Sequence, residues 1–181
     1  VAIIVCQDLS VSDFPTEGEN DSMICDECQA LFDEVGQRVR KQDVFAQVGR
    51  EDDALACRAR DVESDTFYRV HFEPSTNAVW VGLYTPDRWL SESIETDLLH
   101  QGDKLEELLE DELYELGFEA QLPVEHFRDD AKQYVFRSPV SLPEGEKLGG
   151  EVMIDRVTRV LLAYEAMFRQ LGDMAPGEDD E

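Results

Sequence analysis

The chain has 181 residues, of which 42% are hydrophobic and 32% charged. That is the balance of a soluble globular protein, long enough for one domain with a real core and short for two. Sixteen basic residues stand against 42 acidic ones, a net charge of −26, which opposes binding to nucleic-acid phosphates and to anionic membranes, since both depend on Lys and Arg.

The longest purely apolar run, Val1–Val5, is far too short to span a bilayer. It has no basic stretch before it and no small-residue cleavage site soon after, so it does not read as a signal peptide. Only four of the basic residues are Lys (Lys41, Lys104, Lys132, Lys147); the rest are Arg. Few Lys with a great excess of Asp and Glu suits a cytoplasmic protein in concentrated salt, where the screening length falls to ~3 Å at 1 M and self-repulsion is damped. A rival is acidity that serves the protein's own function, as in a secretion chaperone or a nucleic-acid mimic. A mimic would gather its acids on one face, whereas here they occur in nearly every segment.

In chain order, residues 1–25 read as a loosely ordered arm, because Gln7 to Ser22 carry Pro, Gly, Asn and Ser with no period. From Asp26 the pattern turns helical. Cys28, Leu31, Phe32, Val35 and Val39 share one face, and the helix runs to about Lys41. Asp21 or Ser22 would cap it. The period then drops to two. Val44–Val48, Leu55–Arg60, Phe67–Glu73 and Ala78–Tyr84 read as four short strands, separated by the turn material REDD, DVESD and PSTN. Short links make this an antiparallel meander, since parallel pairs need long crossovers.

Pro86 and Ser91 open a helical stretch carrying Ile94, Leu98 and Leu99. Gly102 and Asp103 break or kink it, and Leu105, Leu108, Leu109, Leu113 and Leu116 resume it up to Gly117. VEHF and QYVFRSPV flank Arg128 to Ala131 as a second hairpin. LPEGEKLGG is a flexible link. The last helix, Met153 to Leu171, carries Ile154, Val157, Val160, Leu161, Tyr164, Met167 and Phe168, and residues 173–181 form an acidic tail too polar to order itself.

These elements predict an α+β fold for residues 26–172. A single antiparallel sheet carries its helices on one face, in the order α-β-β-β(-β)-α-β-β-α. The leucine-rich KLEELLEDELYELGFEAQLPVEHF, then YVFRSPVSLP, then the helix VTRVLLAYEAMFRQL resemble the YbjN-like branch of the type III secretion chaperone-like fold. The resemblance covers roughly Asp26 to Leu171 and rests on pattern and element order. The chain departs from it in the arm before Asp26 and in the two-part helix from Ser91 to Leu116. The resemblance implies a mostly non-enzymatic fold, in which secretion chaperones dimerise and hold extended segments of partner proteins, and in which YbjN-like members are linked to regulation.

ICDEC at 24–28 is the one cysteine pair at CxxC spacing. A redox pair needs a lowered thiol pKa, but Asp26 and Glu27 between the cysteines push it up. Zinc needs two further ligands. Cys6 and Cys57 are isolated, and His71, His100 and His126 fall in separate elements. Cys28 therefore reads as core on an apolar helix stripe, with a thiol-redox or metal-binding module built on Cys25 and Cys28 as the alternative. His126 with Asp129 and Asp130 flanks a hairpin turn, where Asp is common for backbone reasons. The acids from Glu106 to Glu115 follow the exposed side of a helix. Gly149 and Gly150 read as a hinge, because no Lys-Ser/Thr follows to make a phosphate loop. No nucleophile elbow, HExxH or dinucleotide fingerprint occurs.

The sequence thus predicts no catalytic residue, cofactor or metal site, and no enzyme. It predicts a cytoplasmic, salt-adapted, chaperone-like or regulatory domain that binds a protein partner, forms a homodimer, and binds neither nucleic acid nor membrane. The binding surface falls on the sheet face without helices, at Arg69, His71, Trp80 and Tyr84, which mix Arg with rigid aromatics.

Overall fold

The computed structural model describes residues 26–51 and 53–172. The arm over 1–25, with Cys25 and the caps expected at Asp21 or Ser22, lies outside the described residues, as does the tail over 173–181.

Helix α1 spans Asp26–Arg40, and Cys28, Leu31, Phe32, Val35 and Val39 form its buried stripe as their spacing requires. Four strands follow: β1 (Gln47–Glu51), β2 (Ala54–Arg58), β3 (Phe67–Glu73) and β4 (Ala78–Thr85). Helices α2 (Arg88–Gln101) and α3 (Leu105–Glu115) come next, then β5 (Glu125–Arg128), β6 (Tyr134–Ser141) and α4 (Glu151–Phe168). All six strands join one antiparallel sheet in the order β1-β2-β3-β4-β6-β5. The fold is α+β with the helices on one face, as the element order predicts.

Several boundaries differ from expectation: β2 is Ala54–Arg58 rather than Leu55–Arg60, the last helix is Glu151–Phe168 rather than Met153 to Leu171, and two further shifts have a clear cause. The first strand runs over Gln47–Glu51 rather than Val44–Val48, because β1 takes its register from β2, with Glu51 opposite Ala54 and Gln47 opposite Arg58. Phe45 precedes the strand as a buried residue whose ring centroid lies 5.5 Å from that of Tyr68. The second helix begins at Arg88, ahead of Ser91, because the Asp87 carboxylate accepts from the amides of Trp89 and Leu90 and so caps it. It ends where expected, on Gly102 in the left-handed region at φ 77°.

Helix α4 crosses the middle of the sheet and buries Val157, Leu161, Tyr164 and Phe168 against it. The Tyr164 hydroxyl lies 2.6 Å from that of Ser138 on β6, and Ser138 donates to the Pro123 carbonyl at 2.7 Å, so the polar atoms under α4 are satisfied. Arg38 clamps α1 to the start of α4 through both oxygens of Glu151, at 2.7 and 2.8 Å. Alternate residues of the central strands point into this layer: Tyr68 and Val70 on β3, Val79, Val81 and Leu83 on β4, and Phe136, Ser138 and Val140 on β6. By the two-residue period of a strand, the residues between them face the other way.

Candidate binding face of the sheet

That other face is ordered by the register. Gly82 on β4 lies opposite Arg69 on β3 and opposite Arg137 on β6. A row therefore crosses the sheet as Gly49, Ala56, Arg69, Gly82, Arg137 and Glu125. Beside it on one side run His71, Trp80 and Pro139, and on the other Phe67, Tyr84, Val135 and Phe127. The four residues expected at the binding surface, Arg69, His71, Trp80 and Tyr84, thus share one face, and none of the four helices packs on it.

Gly82 sits at a close approach of the strands. A Cβ there would stand 2.4 Å from the Phe136 carbonyl oxygen and 2.7 Å from the Arg137 Cβ. The missing side chain lets β4 and β6 pack closely at this point, with the two arginines as the cross-strand neighbours of Gly82. Arg137 lies over the Trp80 ring at 4.0 Å from its centroid and over Phe127 at 4.8 Å, while its Nε donates to Glu125 at 2.9 Å. Arg69 lies over Tyr84 at 5.5 Å and donates from Nη2 to Glu51 at 2.9 Å. Such cation–π contacts gain strength as they lose water.

The rings are consequently not an open apolar patch. Trp80 is 6% exposed and Tyr84 8% exposed. The polar ends of the arginines and the edge of Phe127, 37% exposed, stand above them. Between these groups lies a concavity of about 280 Å³ lined by Arg69, His71, Tyr84, Phe127, Val135 and Arg137, with Asp53 and Asp129 also on its wall. Burial lowers the His71 pKa, and the nearby positive charge of Arg137 lowers it further against Asp53 and Glu73. Burial raises the Tyr84 pKa, opposed first by Arg137 and then by Arg69. At both groups Arg137 is the largest charge influence, within a concavity whose arginines are paired with Glu51 and Glu125 and whose wall carries Asp53 and Asp129.

Arg137, Val135 and Phe127 were not among the expected site residues. The signal was present, since alternation in QYVFRSPV sets Val135, Arg137 and Pro139 on one side. What the sequence lacked was the pairing of β6 with β4, which brings that side beside Trp80.

Other clusters have structural explanations. Ser91 Oγ, His126 Nε2 and Glu95 Oε1 lie within 3.4 to 3.6 Å of one another, which invites comparison with a catalytic triad. Both partners meet the same ring nitrogen, however, whereas a triad needs the acid on one nitrogen and the nucleophile on the other. Ser91 is also buried, and His126 stacks flat on Phe136 at 3.9 Å. Asp129 serves its hairpin turn by accepting from the Gln133 amide at 2.7 Å. A second cavity, of about 250 Å³, is lined by Asp43, Arg60, Tyr68, Glu165 and Arg169 among others. Its arginines are already paired, Arg60 with Asp43 at 2.9 Å and Arg169 with Glu165 at 3.1 Å.

Cys28 and Cys57 are buried, and burial raises the Cys57 thiol to about 12, far from a nucleophilic thiolate. Among the described residues no three His, Cys, Asp or Glu stand together as a metal site, and no helix is long and apolar enough to cross a membrane.

No family model matches the chain, and neither a curated protein nor a solved structure matches it.

Proposed function

We propose that this is a non-catalytic protein-binding domain, chaperone-like or regulatory, that works through the helix-free face of its sheet. The carrying observation is the layer of Arg69 and Arg137 stacked over Tyr84 and Trp80, with both arginines cross-strand neighbours of Gly82. Arg, Trp and Tyr are the residue types in which binding energy concentrates, and rigid stacking reduces the ordering cost of docking. The element order and its resemblance to secretion-chaperone folds support the same reading. The partner is a protein, first a second copy of this chain as a homodimer, and neither nucleic acid nor membrane. The net charge of −26 supports those two exclusions and a cytoplasm of high salt as the working environment.

A photo-crosslinking residue placed at Phe127, on the proposed face, is compared with one at Tyr114, an exposed position on α3. Cross-linking is carried out in the source cells. A discrete adduct from position 127, absent from position 114, supports the reading. Adducts from position 114 alone, or from neither, overturn it.

A further inference from the structure

The sheet ends on one side in β5, an edge strand of four residues that are all exposed. Its register on β6 continues into the hairpin turn, where the Asp129 amide donates to the Gln133 carbonyl at 2.9 Å. That makes Asp129 and Gln133 a hydrogen-bonded pair. By the alternation of an antiparallel ladder, Phe127 with Val135 and Glu125 with Arg137 are the next such pairs. His126 and Arg128 therefore turn their N–H and C=O groups away from β6. Among the described residues no strand, turn or loop backbone bonds to them there.

Such an edge is a template for another strand. The opposite edge of the sheet is not equivalent, because Arg40 of α1 reaches β1 and donates to the Val48 carbonyl at 3.2 Å. β5 has no such cover and carries no Pro, Lys or bulge, which are common guards of an edge. Its sequence, Glu125-His126-Phe127-Arg128, also pairs with itself. Only residues with outward groups make hydrogen-bonded pairs across the new edge, so His126 must meet the partner's His126 or the partner's Arg128. With His126 opposite the partner's Arg128, both pairs fall within β5, and each exchanges two hydrogen bonds. Setting each His126 or each Arg128 against its own copy leaves a single such pair within the strand, and the latter puts like charges face to face.

We infer that β5 is the dimer edge of this protein: it pairs antiparallel with β5 of a second copy, His126 opposite the partner's Arg128 and Phe127 opposite the partner's Phe127. The inference rests on the reading that the first partner is a second copy, and it names the strand through which that copy joins. The two Phe127 side chains meet on the helix-free side as a non-hydrogen-bonded pair, the closer kind of cross-strand contact. The two-fold axis stands perpendicular to the sheet, so the two helix-free faces run together into one surface. Glu125 comes opposite the partner's Asp129. Within its own subunit Glu125 is held by Arg137 and Asp129 by the Gln133 amide. The remaining repulsion makes the pairing tighten with salt.

The test is sedimentation equilibrium of the whole chain in about 1 M KCl, with Arg128→Pro set against Arg128→Ala. Both lose the guanidinium, and only Pro loses the outward N–H, which an edge strand tolerates without breaking its ladder to β6. The dimer dissociation constant should be about tenfold or more higher for Pro than for Ala, the scale of the two N–H groups lost per dimer. A second measurement does not depend on the Pro variant folding. The Phe127→Cys chain, oxidised with diamide, should form a disulfide between the two copies at position 127, mapped by mass spectrometry. The Cα atoms of such a pair lie about 4.5 Å apart, inside the roughly 4.4–6.8 Å that a disulfide spans.

A parent dimer with equal constants for the two folded variants, or with no disulfide at position 127, overturns the edge pairing and leaves the helix-free face as the dimer surface. A monomeric parent that still gives the discrete cellular adduct from position 127 overturns the edge pairing and leaves the binding face with a different protein partner. A monomeric parent with no adduct overturns both.

Discussion

The guanidinium carbon of Arg137 lies 4.0 Å from the centroid of the Trp80 indole, and neither residue belongs to the helix-covered core. Arg137 faces Gly82, and Trp80 faces Pro139 one step along the same pair of strands. A long side chain on β6 thereby covers an aromatic on β4, and Glu125 on β5 fixes its far end. The face without helices has a second layer made by side chains alone. That layer also makes Trp80 and Tyr84 poor residues for probing a surface. Both are largely buried, so their truncation to Ala carries a cavity cost of about 3–5 kcal/mol besides any loss of binding.

Removal of the Arg137 side chain should uncover the indole. Trp89 is 75% exposed and would mask the signal, so the comparison is made in a Trp89→Phe background. Arg137→Ala should shift Trp80 emission to the red, increase its quenching by acrylamide, and cost about 0.5–2 kcal/mol. Unchanged emission and quenching would show that the stack is not present in solution.

Gly82→Ala should be destabilising by about 1–3 kcal/mol or more, the cost of forcing atoms into a packed site. The added Cβ would meet backbone at 2.4 Å, which no rotamer change can relieve. Urea unfolding measures the cost, with Gly49→Ala as the control because nothing lies within 4 Å of its Cβ position. Equal midpoints for the two variants would contradict the close strand approach at Gly82.

Glu165 gives a pH prediction with a definite sign. Burial raises its pKa above the ordinary 4.5, with Arg169 and Arg60 opposing. The folded protein therefore holds this proton to higher pH than the unfolded chain does. The group's contribution to stability is full below the unfolded value and is lost as pH rises through the folded value. Glu165→Gln, which stays neutral, should gain stability relative to the parent as pH rises from 4 to 7, in a window starting at the ordinary carboxylate value of 4.5. Chemical unfolding at several pH values reads it. A difference between the two proteins that stays constant with pH, or moves the other way, would show that the carboxyl is not penalised by burial.

Salt should stabilise the fold. At low ionic strength a net charge of −26 costs self-repulsion, and raising KCl from about 0.1 to 1 M shortens the screening length from ~10 to ~3 Å. The melting temperature should rise across that range. A flat or falling curve would remove the basis for the salt-adapted reading.

Most of the element order was legible because each helix carries one apolar stripe and each central strand a clean alternation. β3 matches its expected span residue for residue, and the break at Gly102 falls where a left-handed cap requires it. β1 shifted because its residues Gly49, Arg50 and Glu51 have little strand preference and are held by the ladder to β2. The candidate face was half legible. Arg69, His71, Trp80 and Tyr84 lie on consecutive strands, so alternation alone put them together. Arg137 and Phe127 come from the second hairpin, and only the insertion of β6 beside β4 brings them in. The unpaired Arg69 Nε is a fact of packing that no sequence pattern carries.

The most direct test of the helix-free face as a protein-binding surface is sedimentation equilibrium in about 1 M KCl, where charge repulsion is screened. The parent chain is compared with Phe127→Asp, which places a charge at the rim of the concavity on an edge strand, and with Tyr114→Asp on the opposite side. The account predicts a dimer of the 20.6 kDa chain that Phe127→Asp converts to monomer and Tyr114→Asp leaves intact. A monomeric parent, or a dimer broken by Tyr114→Asp and untouched by Phe127→Asp, would contradict it.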